Sequence, residues 1–486
     1  MEELDIASVT KRSIKGILAL TSRTFTIQLV SFATNLVLTI FLSPAIFGVY
    51  FVVTAAIAFL SYFSDIGLAA ALIQKKEPIK EEELKATFTL QQILVVTVVI
   101  IAFLISGKVG AFYHLDRDGV LLFQALVVSF FLSSLKTIPS IILERNLRFE
   151  KLVIPQIIET LFFSVTAVVL AVKGFGIMSF TYAVLARGLS GVITIYIINP
   201  WKIGFGFSKD SLKKLLSFGV PFQANSFLAL VKDDLLIVYL GKVLPLSQVG
   251  FIGFAQKWAF FPLRLVMDNV IRVTFPSFSR LQNEKEALKK AVEKSIFAAC
   301  FIIFPSLIGL VIFSPYLIHL IPKYLKWEPA LISLAFFSLN AGLSSISTPL
   351  TNALNAIGKI KITLRLMIFW TVLTWALTPL AIFLLGFNGV AIVSALVAFS
   401  LFIVIYVVRK YINFSLTNSV KGPFISALIM GIFMYFLSIL IVKDFWTLII
   451  VGILSVILYI ASMFVLARRD LILDIKFIKD SLKKHD

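Results

Sequence analysis

Charge is what this sequence has least of: Asp, Glu, Lys and Arg make up 15% of its residues, where an average globular domain carries about 25%. No segment is long and polar enough to fold as a separate water-exposed domain. Cysteine is nearly absent. Cys300, in an apolar run, is the single one, which excludes an intrachain disulfide and leaves compartment uninformed by cysteine. The three histidines, His114, His319 and His485, are scattered and imply no metal site. There is no Walker A motif, no GxSxG elbow and no pair of carboxylates in a sizeable loop. ATP hydrolysis therefore has no visible carrier, and any transport would draw on an ion gradient, a membrane potential or downhill flow.

What is abundant is apolar surface. Hydrophobic residues make up 59% of the chain and the mean hydropathy is +0.98. Apolar stretches of about 20 residues, the length that crosses a hydrocarbon core, recur from one end to the other. They predict fourteen membrane helices near 15–42, 46–74, 86–106, 119–142, 153–172, 176–198, 214–241, 247–278, 292–313, 328–356, 360–385, 388–408, 423–442 and 445–467. Prolines 139, 155, 221, 262, 276, 305, 349 and 379 lie within or at the ends of these spans. Such prolines are tolerated where neighbours or cavity water satisfy the freed carbonyls, and the kinks they cause suit a transporter. The opening MEELDIASVT is acidic and polar. The apolar run after it is too long for a signal-peptide core and reads as a retained first helix.

The net charge of +19 could suggest nucleic acid, but its placement argues for topology. With the N-terminus inside, thirty-one basic residues fall in cytoplasmic segments and seven in external ones. That bias is the one that orients membrane proteins, and it puts both termini in the cytoplasm of a multi-pass protein of the inner or plasma membrane. External loops are short, which disfavours a membrane glycan polymerase or ligase.

FLSPAIFGVY (41–50) aligns with VLPLSQVGFI (243–252) at an offset of 202, with Gly48 on Gly250. Asp65 and Asp268 stand at an offset of 203. The repeat unit is then six helices: a lobe over 1–200, a second over 201–412, and helices 13 and 14 with a basic tail over 413–486. An even-numbered repeat keeps its orientation, so the lobes are related about the membrane normal with a substrate path between them.

A charge at the bilayer centre costs about 2.5–3.5 kcal/mol on insertion scales, so it faces a cavity, a partner or the bundle interior. The intramembrane charges read from the sequence are Arg23, Asp65, Lys136, Arg187, Lys232, Asp233, Asp234, Lys257, Arg264, Asp268 and Arg272. Cations outnumber carboxylates seven to four, so a wet cavity lined by them would draw an anion. Bland readings stand beside this one. Arg264, Asp268 and Arg272 follow at helical spacing and could form an ion-pair ladder. Lys136 and Asp65 could reach an interface. In VKDDLL (231–236) Lys232 could neutralise a neighbouring Asp. Adjacent residues point about 100° apart on a helix, however, so the three cannot all pair together.

The blocks DIGLAAALIQKKEPIKEEELKATF (65–88), LERNLRFEKL (143–152), VKDDLLIVYLGKVLPLSQVGFIGFAQKWAFFPLR (231–264), FPSFSRLQ (275–282) and PLTNALNAIGKIK (349–361) resemble polysaccharide biosynthesis flippases. These are Wzx-like exporters of the MOP superfamily, which also holds the lipid II flippases and the MATE drug exporters. The resemblance implies an all-α polytopic protein with two pseudo-symmetric six-helix lobes around a central cavity, plus two C-terminal helices. It also implies alternating access that carries a polyprenyl-pyrophosphate-linked oligosaccharide from the inner to the outer leaflet, without an enzymatic step, for cell-surface polysaccharide such as lipopolysaccharide or exopolysaccharide. Where the family commonly has Arg–x–x–Asp–Asn in helix 7, this chain has Lys232, Asp233 and Asp234.

Arg23, Lys232, Lys257 and Arg264 are the residues expected to contact the head group. Asp233 and Asp234 would tune these cations or bind a coupling proton or sodium ion. Asp65, Asp268, Arg272 and Arg187 are expected in structural or gating ion pairs. No cofactor, metal or nucleic acid is implied; the partners expected are lipid-linked oligosaccharide, membrane lipids and other glycan-assembly proteins. A MATE-like cation-coupled drug exporter is the alternative, and a cavity with more carboxylates than cations would favour it.

Overall fold

A chain crossing hydrocarbon must satisfy its own backbone, which restricts it to helices or a closed barrel. Here the solution is helical, and the described residues include no strand. The computed structural model describes residues 6–62, 67–75, 77, 79–207, 227–228 and 230–466, with side chains from residue 22 onward. The helices are α1 (Ile6–Phe41), α2 (Pro44–Tyr62), α3 (Leu68–Gln74), α4 (Glu81–Tyr113), α5 (Arg117–Leu135), α6 (Thr137–Arg145), α7 (Phe149–Val172) and α8 (Met178–Ile198). A helix over 230–243, called α9, precedes α10 (Leu246–Arg280), α11 (Lys285–Leu320), α12 (Leu331–Ala356) and α13 (Ile360–Leu385). The chain continues with α14 (Asn388–Ala398), α15 (Leu401–Arg409), α16 (Leu416–Ile441) and α17 (Phe445–Leu466).

Among the described residues twelve stretches are long and apolar enough to span a membrane. The seventh and eighth of the fourteen expected spans are not among them. The seventh, expected over 214–241, lies partly outside the described residues. The eighth is present as the 35-residue α10, whose Lys257, Arg264, Asp268 and Arg272 make it more polar than its neighbours.

Three expected spans are broken. The one over 46–74 becomes α2 and α3, and Gly67 before α3 takes the left-handed conformation at φ +72°. The one over 388–408 divides into α14 and α15, and Ser400 at the junction accepts a hydrogen bond from Trp370 Nε1 at 2.7 Å. The one over 119–142 divides at Lys136 into α5 and α6, a break that shapes the site described below. Two of the quoted blocks also meet. Arg145, from LERNLRF, donates to the carbonyls of Leu72 at 2.8 Å and Lys75 at 2.5 Å, and to that of Glu77. It thereby satisfies acceptors at the end of α3, the place where helix carbonyls otherwise go unpaired.

The packed backbone divides into two compact units, Met1–Gly253 and Phe254–Asp486. Residues 230–253 pack with the first unit, beyond the sequence boundary at 200. The Tyr113 hydroxyl donates to the Val238 carbonyl at 3.3 Å. Lys242 Nζ lies 4.3 Å from the Phe112 ring centroid and donates to its carbonyl at 3.1 Å. In the second unit α16 and α17 dock on α11. The Tyr459 hydroxyl donates to the Phe301 carbonyl at 2.7 Å, and Met430, Met434 and Met463 pack with Phe301 and Phe304.

Two close backbone approaches fall on the glycines aligned at the offset of 202. A Cβ on Gly48 would stand 1.7 Å from the Leu246 carbonyl oxygen, and one on Gly250 would stand 1.9 Å from that of Pro44. Positions 44 and 246, and 48 and 250, are equivalent at the offset of 202. Reciprocal contacts between equivalent positions are what a two-fold relation requires. Only glycine allows backbones this close, as at other small-residue crossings in membranes.

Candidate functional site

Helices of the first unit line one cavity of about 430 Å³, two of them with residues one turn apart: Arg23 and Ile27 on α1, Gln156 and Thr160 on α7. On α8 Arg187 lines it, with Ile195 two turns on; Lys136 and Ser140 do so across the α5–α6 break. α7 lies between α1 and α8, packed against both. Residues spaced by four share a helix face, so Gln156 and Thr160 form a polar stripe on α7 turned towards this space.

At the centre is Glu159 of α7. Lys136 Nζ lies 2.6 Å from its Oε1, and Arg187 Nε lies 3.8 Å from its Oε2. The Glu159 and Lys136 side chains are only 10% and 17% exposed, whereas that of Arg187 is 54% exposed. Arg23 Nη1 donates to Gln156 Oε1 at 2.7 Å, which aims the guanidinium with a neutral partner. Three cations against one carboxylate leave a net charge of +2 among the four groups.

The break at Lys136 is built by its neighbours. Pro139 has no N–H, so it cannot donate to the Leu135 carbonyl as a helical residue would. The Tyr196 hydroxyl donates to that carbonyl at 3.1 Å instead, and Asn199 Nδ2 donates to the Pro139 carbonyl at 2.9 Å. From the other side, Gln92 Nε2 bonds Ser134 and Gln91 Nε2 bonds Thr137, both at 3.0 Å. α4 and α8 thus hold the residues flanking Lys136, and its ammonium is delivered to Glu159. On α8, Gly191 makes room for the carboxylate: a Cβ there would lie 2.2 Å from Glu159 Oε1.

Of the four expected head-group cations, Arg23 lines this cavity; Lys232, Lys257 and Arg264 do not. Lys232 turns to its neighbour, with Nζ 3.6 Å from Asp233 Oδ1, while Asp234 is half-buried. Lys257, Arg264, Asp268 and Arg272 lie along the exposed side of α10. Asp268 makes no ion pair with Arg264 or Arg272, so the expected ladder is not formed. Arg187 approaches a carboxylate as expected, but that carboxylate is Glu159. Asp65 lies outside the described residues. The intramembrane charges legible in the sequence omit Glu159 and include Lys136 only as a residue that could reach an interface. The available signal was in IPQIIETLFF (154–163), where Gln156, Glu159 and Thr160 form a polar stripe on an otherwise apolar span.

The profile of the family described as polysaccharide biosynthesis protein matches residues 37–332, which include Lys136, Glu159 and Arg187. This chain belongs to that family. It is 26% identical over 341 residues to the lipopolysaccharide biosynthesis protein WzxC of Escherichia coli K12, covering 67% of this chain and 66% of that protein. It is 23% identical over 349 residues to the succinoglycan biosynthesis transport protein ExoT of Rhizobium meliloti, covering 71% and 68%. In fold it matches the lipid II flippase MurJ in an inward closed conformation, with a TM-score of 0.75, 15% identity and coverage of 93% of this chain and 99% of that one. The family member described here therefore has the MOP fold.

Proposed function

We propose that this protein is a flippase that carries a polyprenyl-pyrophosphate-linked oligosaccharide from the inner to the outer leaflet by alternating access, for export of cell-surface polysaccharide. The observation that carries this reading is the cavity lined by Arg23, Lys136 and Arg187, with Glu159 as the one carboxylate among its described lining residues. A pyrophosphate bears at least two negative charges and cannot enter hydrocarbon with its hydration shell. Guanidinium and ammonium groups replace that shell with charge-assisted hydrogen bonds, while the lipid tail stays in the bilayer. Family membership and the names of the two relatives support the substrate class.

Arg23, Lys136 and Arg187 are the proposed head-group contacts; Lys257 and Arg264 of the second unit are kept as candidate substrate-binding cations. Asp233 or Asp234 would take the coupling proton or sodium ion. The protein acts without a chemical step of its own, at the plasma membrane with both termini cytoplasmic, alongside other glycan-assembly proteins. A surplus of cations in the cavity argues against a MATE-like cation-coupled drug exporter.

The test is a strain lacking the protein, assayed for lipid-linked glycan retained on the inner leaflet. Unaltered protein should restore export, whereas Arg23→Ala protein inserted at normal levels should not. Full-rate export by the Arg23→Ala protein would overturn the assignment.

A further inference from the structure

We infer that Glu159 is a built-in competitor for the substrate anion: a tethered carboxylate that engages Lys136 and Arg187 until a phosphate-class ligand takes them over. This rests on the anion pocket proposed above and adds a specificity-determining residue to it.

Three observations carry the inference. First, the two carboxylate oxygens go to two different cations, Oε1 to Lys136 at 2.6 Å and Oε2 towards Arg187 at 3.8 Å. That is the way two oxygens of one phosphate would bridge them. Second, the facing backbone leaves room for this side chain. Gly191 lies one turn beyond Arg187 on α8, and a Cβ there would stand 2.2 Å from Oε1 and 2.6 Å from Cδ of Glu159. Any larger residue would oblige the carboxylate to shift. Third, its two partners grip unequally. Lys136 is largely buried and in hydrogen-bond contact. Arg187 is 54% exposed in its side chain and beyond hydrogen-bond distance, so a ligand reaches it first.

The consequence is selectivity. A monovalent anion must displace a carboxylate of equal charge already in contact, and gains little. A pyrophosphate brings more charge and more oxygens, so it can bind Arg187 and Arg23 and then exchange with Glu159 at Lys136. When the head group leaves, the tethered carboxylate returns at high effective concentration, which speeds release. Glu159 therefore weakens anion binding in order to make it selective and reversible.

The experiment is titration of the full-length protein in nanodiscs with inorganic pyrophosphate, followed by calorimetry. Glu159→Gln should bind roughly tenfold tighter than the unaltered protein, within the range usual for coupled sites. Glu159→Asp, which keeps the charge but withdraws it by one methylene, should fall between the two; it also carries the test if Glu159→Gln fails to insert. Lys136→Gln should bind more weakly than the unaltered protein. Equal or weaker binding by both Glu159 variants, with Lys136→Gln still impaired, overturns the competitor role and leaves the pocket standing. If no protein binds pyrophosphate, the competitor and the pocket both fall.

Discussion

Each unit of this protein holds a group of four membrane charges, and the two groups are built in opposite ways. In the first unit Arg23, Lys136, Glu159 and Arg187 come from separate helices and converge on one cavity. In the second, Lys257, Arg264, Asp268 and Arg272 follow one another along the exposed side of α10. The opposite side of that helix packs Leu263, Val266 and Met267 against Ala299, Ile303 and Ala341. Charges that converge satisfy one another and depend on the positions of four helices. Charges strung along one helix take their relative directions from that helix alone. The first arrangement is therefore coupled to the packing of its unit, whereas Arg264 and Asp268 of the second stand on an exposed helix side.

That contrast can be broken by mutation, and the largest effect belongs to Lys136. Lys136→Met leaves a buried carboxylate without its close partner, a change worth about 3–5 kcal/mol where such pairs have been broken. Thermal unfolding in detergent should show it as a large fall in melting temperature, with export lost. A Lys136→Met protein as stable as the parent would place the pair outside the structural core of the first unit.

A double-mutant cycle sharpens the comparison directly. Lys136→Gln combined with Glu159→Gln should reveal a coupling of about 1–3 kcal/mol, as for residues in one network. Arg264→Gln with Asp268→Asn should give no more than about 0.5 kcal/mol, the scale of an exposed i, i+4 pair. Equal couplings in the two units would remove the distinction.

A smaller effect is expected at Gln156, which aims Arg23 without carrying charge. Gln156→Ala removes one hydrogen bond to a charged group, worth about 1.5–3 kcal/mol. It should raise the apparent KM for glycan export more than it lowers the maximal rate. The smallest effect belongs to Asp268→Asn, which should shift stability by less than about 0.5 kcal/mol, like other exposed substitutions. A drop of several kcal/mol by the same unfolding assay would mean that the α10 charges are structural after all.

The same contrast marks the limit of what could be read from the chain. The α10 charges were visible because they recur at helical spacing in one segment. Gly48 and Gly250 were visible as an offset of 202, and the backbone crosses closely at both positions. Lys136 looked like a charge that could reach an interface, because Pro139 alone does not say whether the helix kinks or stops there. The stop depends on Tyr196 and Asn199, some 60 residues away, serving carbonyls around Pro139. Glu159 was hidden by its apolar surroundings, and its importance comes from partners 23 and 28 positions distant in the chain.

By itself the sequence determined that this protein lives in a membrane as a bundle of helices, with more cations than carboxylates inside. Apolar runs leave a backbone in hydrocarbon no other way to satisfy its hydrogen bonds, so that outcome is local and can be read along one dimension. Which charges meet was decided only by the tertiary structure. A helix places its side chains at fixed angles around its own axis, but its rotation against a neighbour is set by long-range contacts such as Gly191 against Glu159 and Gln92 against Ser134. Those contacts gather Arg23, Lys136, Glu159 and Arg187 into one cavity, and they leave Lys232 paired with Asp233 outside it.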